Sequence, residues 1–156
     1  MTRQMFATAL AGSACLLAAV TGTAPTASAH HAFAAEFDAN APVLLRGKVV
    51  RIEWINPHAW VHIQVEEQGK APQIWAVEGG TPNTLLRAGI TRDTLKIGTD
   101  IVVRGYQSKD PSCTPTCKAN GRDMTFPTGQ KVFFGSSGTG APRDGADPSE
   151  PPKPKP

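Results

Sequence analysis

Familiar catalytic signatures are missing from the chain. It contains no G-x-S-x-G, no H-E-x-x-H and no P-loop. That removes the nucleophile elbow, the zinc-protease helix and the phosphate cradle from consideration. An excess of one charge is missing as well. Sixteen Lys and Arg against thirteen Asp and Glu leave a formal net charge of +3. So slight a bias implies neither a nucleic-acid partner nor an anionic membrane. Cysteine is scarce, with only Cys15, Cys113 and Cys117. No internal repeat is visible, and no long apolar run follows the first residues.

Those first residues have a clear order. Arg3 is the one early cation, an apolar stretch runs from Met5 to about Val20, and Ala27-Ser28-Ala29 follows. Charged start, apolar centre and small-residue exit make a secretory leader over residues 1–29. The stretch is short for a membrane span of about 20 apolar residues, so no integral span is expected after processing. Gly12-Ser13-Ala14 ahead of Cys15 lacks the aliphatic residue of a lipoprotein site. The mature protein should begin at His30, lose Cys15 with the leader, and be periplasmic or secreted. In that oxidising setting Cys113 and Cys117, the ends of "CTPTC", are expected to pair as a disulfide. A thiol metal site is the alternative.

From Ser136 the chain reads "SSGTGAPRDGADPSEPPKPKP", which holds six of the fourteen prolines and no large apolar residue. Residues 136–156 are therefore expected to form a disordered Pro-rich tail. Residues 30–135 are left as one small domain. Its strand signals are "VLLRGKVVRIEW" (43–54), "AWVHIQVEE" (59–67), "QIWAVEG" (73–79), "DIVVRGYQ" (100–107) and "DMTFPTGQKVFFG" (123–135), the last a hairpin around Pro127-Thr128-Gly129. In the second, Val61, Ile63 and Val65 fall on one face and Trp60, His62 and Gln64 on the other. Thr81, Pro82 and Gly89 mark a helix near 82–88, with Leu85, Leu86 and Ala88 on its buried side. The expected fold is all-β with one short helix. Three strands, a helix and two strands suit a five-stranded OB-like barrel. An open antiparallel sheet or small sandwich is the alternative.

All four histidines lie early in the mature chain: His30, His31, His58 and His62. Cleavage before His30 would leave an α-amine beside its own imidazole. Together they form a compact chelate, and a second imidazole from His58 or His31 would complete three nitrogen donors. Such donors suit Cu(II), which leads the affinity order of the divalent metals. This is the histidine-brace arrangement of copper proteins. The bland reading of every one of these histidines is surface or packing. His58 sits on a bend in "WINPHAW" (54–60), a place where functional residues concentrate. His62, four strand residues on, would stand roughly 13 Å away if both were in regular strand. Trp54, Trp60 and Trp75 could line a ligand groove, or serve as half-buried sheet residues. Gly79-Gly80 reads as a tight turn or a small anion nest. Glu36, Asp38, Glu53 and Glu78 are scattered, with no pair that sequence places for acid–base work.

The motifs "HHAFAAEFD" (30–38), "GKVVRIEWINPHAW" (47–60), "WAVEGGTPNTLLRAG" (75–89), "TRDTLKIGTDIVVRGYQSKD" (91–110) and "GQKVFFGSS" (129–137) carry a resemblance. The mature chain resembles domain-of-unknown-function family 6152, which are small exported bacterial proteins. The resemblance implies a β-rich, exported single domain and supplies no activity. His30, His31, Asn56, Pro57 and His58 match its recurring motifs. Cys113, Cys117 and the tail are departures from it. The leading expectation is a non-enzymatic exported binding domain that holds copper through His30 and His58, with His31 nearby. The alternative is a metal-free module that binds a small molecule or protein through Trp60, His62 and Trp54. An oxygen-activating enzyme ranks third, because no substrate groove is legible.

Overall fold

The computed structural model describes residues 30–135, and of residues 30–32 the backbone only. The expected leader (1–29) and the expected Pro-rich tail (136–156) lie outside the described residues. Among those residues the chain runs α1 (His30–Glu36), β1 (Phe37–Glu53), β2 (Trp60–Val65), β3 (Gln73–Glu78), α2 (Pro82–Arg87), β4 (Asp100–Ser108), β5 (Cys117–Thr125) and β6 (Lys131–Phe133).

The strands follow from their side chains. Val61 and Ile63 are fully buried and Val65 nearly so, while Trp60, His62 and Gln64 alternate with them at the outer face. The seventeen-residue β1 pairs with β4 through its first part and with β2 through its second. Gly47 belongs to both pairings, opposite Val65 and Ile101. A Cβ there would stand 2.2 Å from the Gln64 carbonyl oxygen, so glycine is what lets β2 approach. A register shift between Val49 and Arg51 adds curvature at the same place. The sheet order is β3-β2-β1-β4-β5-β6, with a further pairing of β3 to β5. That pairing is parallel, whereas the others are antiparallel. The sheet is therefore not open: five strands close into a ring, and β6 hangs on its rim.

Leu45, Val49, Ile63, Val77, Leu85, Ile90, Leu95, Val103, Met124 and Phe134 fill the ring. Thr81 caps α2, its hydroxyl accepting from the Thr84 N–H at 3.2 Å, and Gly89 makes the exit at φ +84°. Leu85 is its buried residue; Leu86, expected inside, is half exposed because a two-turn helix offers the core one narrow stripe.

Three expectations need correction. A second helix, α1, precedes the sheet. It is held by Phe33, which packs with Phe37 at the start of β1 and with Tyr106 as a separate small core. β1 begins at Phe37 rather than 43, since β4 supplies hydrogen-bond partners back to that point. The fifth strand begins at Cys117 rather than 123. Its polar sequence "CKANGRD" hid it, yet pairing with β3 and β4 on its two sides holds it.

Candidate functional site

The turn between β1 and β2 is locked against the end of β3. The Ala59 N–H donates to the Gly80 carbonyl at 3.0 Å, and the Gly79 N–H donates to the Ala59 carbonyl at 2.8 Å. These two bonds place His58 beside the end of β3. Its Nδ1 lies 3.2 Å from the Gly79 carbonyl oxygen and 3.5 Å from Glu78 Oε1. A carbonyl oxygen only accepts, so Nδ1 carries the proton. In the neutral ring Nε2 then presents a bare lone pair. The turn is stiff, and the imidazole is half-buried.

Glu78 is the buried carboxylate of this corner, 7% exposed. Asn120 of β5 donates to its Oε1 at 3.3 Å, across the parallel β3–β5 pairing that sets Glu78 opposite Asn120. Loss of solvent pushes the Glu78 carboxyl above its ordinary value of 4.5. His58 opposes that rise, the Glu36 charge adds to it, and Asn120 and Lys118 oppose it. Glu36 thus comes within electrostatic reach of Glu78, although the two are far apart in sequence.

Glu36 brings α1 to the corner. Its carbonyl accepts from the Lys109 N–H at 2.8 Å and from the Ser108 hydroxyl at 3.2 Å. Its carboxylate is 3.9 Å from Lys118 Nζ. Phe33 meets Tyr106 edge to face, with ring centroids 5.5 Å apart. Tyr106 stands opposite Asn120 in the β4–β5 ladder, and Asn120 holds Glu78. Position 30 is one helical turn ahead of Phe33, about 4.5 Å along the helix axis. The side chains of His30 and His31 lie outside the described residues. Among the described residues no three metal-binding side chains cluster.

The remaining candidates go elsewhere. His62 Nε2 is 2.8 Å from Glu53 Oε1, an oxygen that Arg51 also reaches at 3.2 Å. Trp60 stands between Glu53 and Glu78 in the two ladders of β2. Trp54 packs against the main core under the Arg92 guanidinium, 5.5 Å from its ring centre. Trp75 also packs against that core. Trp60 and Trp75 are half-buried strand residues, and Trp54 is half-buried just past the end of β1. Gly79 and Gly80 form no anion nest, because Ala59 and Phe134 carbonyls take their N–H groups. Instead they admit neighbours: a Cβ on Gly79 would lie 2.6 Å from the Phe134 ring. Cys113 and Cys117 form a disulfide at the start of β5.

Sequence reasoning named Glu78 only as one of four scattered acids and passed over Asn120. The available signals were a charged residue ending the apolar run "IWAV" and an asparagine within a segment that pairs on both sides.

The architecture defines a class: a small, mostly antiparallel β protein whose strands close in a ring, with few short helices. The family profile described as Family of unknown function (DUF6152) matches residues 17–117, well over half of the chain, and the chain belongs to that family. The match takes in α1, the His58 turn and Glu78 and stops at the first residue of β5. No curated protein matches the chain.

Proposed function

We propose that this is an exported, non-enzymatic binding domain with an OB-like barrel, which holds one copper(II) ion between the processed N-terminus at His30 and the imidazole of His58. The barrel reading is supported by the strand ring and by the parallel β3–β5 closure, with a helix between β3 and β4. One observation carries the metal reading. The Gly79 carbonyl takes the Nδ1 proton of His58, which leaves Nε2 as a donor on a rigid turn. Metal-bound histidines are held in this way, by a hydrogen bond from the other ring nitrogen. Support for the N-terminal donors comes from the clamping of α1 by Ser108, Lys109 and Tyr106, with Glu36 within electrostatic reach of Glu78. An amine with its own imidazole and a second imidazole is a donor set that favours copper over the other divalent metals.

The test is calorimetry and electron paramagnetic resonance on protein that begins at His30 and on protein carrying one extra residue ahead of it. The first should bind one Cu(II), more weakly as pH falls, because protons compete for the amine and both rings. The second keeps all four imidazoles but has an amide where the amine was, and should bind far more weakly. Equal affinity in the two forms would overturn the amine's role, and no copper binding by either would favour the metal-free module around Trp60.

A further inference from the structure

Glu78 has no assigned task in the donor set, yet it is the most buried acid of the corner, and its Oε1 serves two partners. Asn120 donates to that oxygen at 3.3 Å, and His58 Nδ1 lies 3.5 Å from it. The two partners come from different places in the chain: the β1–β2 turn and the middle of β5. Glu78 stands between them at the end of β3. The three residues make a row, Asn120–Glu78–His58, that crosses the seam where the ring closes. A buried carboxylate is costly unless it is hydrogen-bonded. Here the bond to Asn120 keeps Oε1 facing the Nδ1 side of the His58 ring. The Gly79 carbonyl, at 3.2 Å, favours a proton on Nδ1, but as a single neutral acceptor it leaves the ring free to rock about that bond and to sample the other tautomer. A second acceptor beside it restricts the rocking.

From this arrangement we infer that Glu78, tethered by Asn120, is a positioning residue for His58: it holds the ring's orientation and the Nδ1–H tautomer, and so makes Nε2 a ready donor for a transition-metal cation. The inference deepens the copper reading and rests on it for the identity of the ligand, but not for the state of the ring. The same carboxylate disfavours anions. Glu78 stands behind the His58 ring, and the charges within its own electrostatic reach, Glu36 and Lys118, have opposite signs, so the carboxylate nearest the ring sets the preference for a cation. Support of this kind from outside the donor set is worth about 10–100-fold in metal affinity.

Three variants of the processed protein separate a positioning role from a merely structural one: Glu78→Leu, Glu78→Gln and Asn120→Ala. Two measurements apply to each, nitrogen NMR of the His58 ring without metal and calorimetric titration with Cu(II). Wild-type protein should show His58 as the Nδ1–H tautomer. Glu78→Leu keeps the volume but removes the acceptor. It should give a mixture of tautomers and a fall in copper affinity of about 10–100-fold. Glu78→Gln retains an acceptor oxygen and should restore the tautomer and most of the affinity. Asn120→Ala leaves the carboxylate in place without its tether, and should shift the ring in the same direction as the leucine by a smaller amount. It also keeps the question open to measurement if the leucine variant does not fold. A role confined to stability would move the melting temperature and leave the His58 tautomer unchanged in all three variants, and that outcome overturns the inference. If wild-type protein binds no copper yet its tautomer responds to Glu78→Leu, the positioning role stands and the copper reading falls.

Discussion

Two histidines on one wall of the ring meet glutamates in different ways. His62 projects from the middle of a strand, and its Nε2 ends on Glu53 at 2.8 Å. Glu53 is 27% exposed and already shared with Arg51. His58 stands on a turn locked by two backbone bonds, and its Nδ1 faces Gly79 and a Glu78 whose side chain is 9% exposed. The first is a part-buried pair, its ring 16% exposed, whose acid is shared with Arg51. The second is a more exposed ring, 29%, oriented from behind by a more deeply buried acid. The difference lies in the burial of the acid and in backbone anchoring, and these, rather than the presence of a His–Glu contact, are what favour the corner as the proposed ligand site.

The sharpest way to break that comparison is to remove each ring. His58→Ala should lower the copper affinity of the processed protein by orders of magnitude, while His62→Ala should leave it close to wild type, both read by calorimetry. A large loss with His62→Ala would erase the distinction. Next in size is the packing beneath the corner. The Phe134 ring is fully buried against Gly79 and Gly121. Phe134→Ala should cost about 3–5 kcal/mol in denaturant unfolding, and the His58 ring signals should shift before those of His62.

A smaller effect belongs to the other end of the seam. Cys117 stands opposite Trp75, one residue from Ala76, which pairs with His62. The disulfide closes a very short loop, so replacing both cysteines by serine should cost about 2 kcal/mol or less. Thermal unfolding with and without a dithiol measures it. The smallest expected effect is in pH. Burial raises the folded-state pKa of Glu78 above its unfolded value, so between those two values the native state binds more protons than the unfolded one. Stability of the metal-free protein should therefore decline as pH rises through that window, and the decline ends above the folded-state value. Glu78→Gln should remove this slope. An unchanged slope in urea midpoints taken across that window would show that Glu78 is not its source.

How much of this was readable beforehand depends on the residue. β2 was legible because alternation at Val61, Ile63 and Val65 reports a half-buried strand directly. α2 was legible from Thr81, Pro82 and Gly89, which act locally. α1 was not, because a seven-residue helix has little intrinsic stability and depends on Tyr106, which is remote in sequence. The first half of β5 escaped for the same reason: its hydrogen bonds go to β3 and β4, and its own composition is polar. At the site, His58 was legible as a loop residue between strands. Glu78 read as one of four scattered acids, since its importance arises from Asn120 and the β3–β5 pairing, which no local pattern announces.

That pairing has a consequence for the order of folding. β1, β2 and β3 are neighbours in sequence and in the sheet, so they can assemble as a meander with short loops. Joining β3 to β5 brings together Trp75 and Cys117 across the whole of α2 and β4. Long-range contacts carry a loop-closure cost and come late. The row from Asn120 through Glu78 to His58 therefore exists only once this long-range pairing has formed. A chain caught halfway has the histidine but not the support behind it, so occupation of the corner would serve as a signal that the molecule is finished.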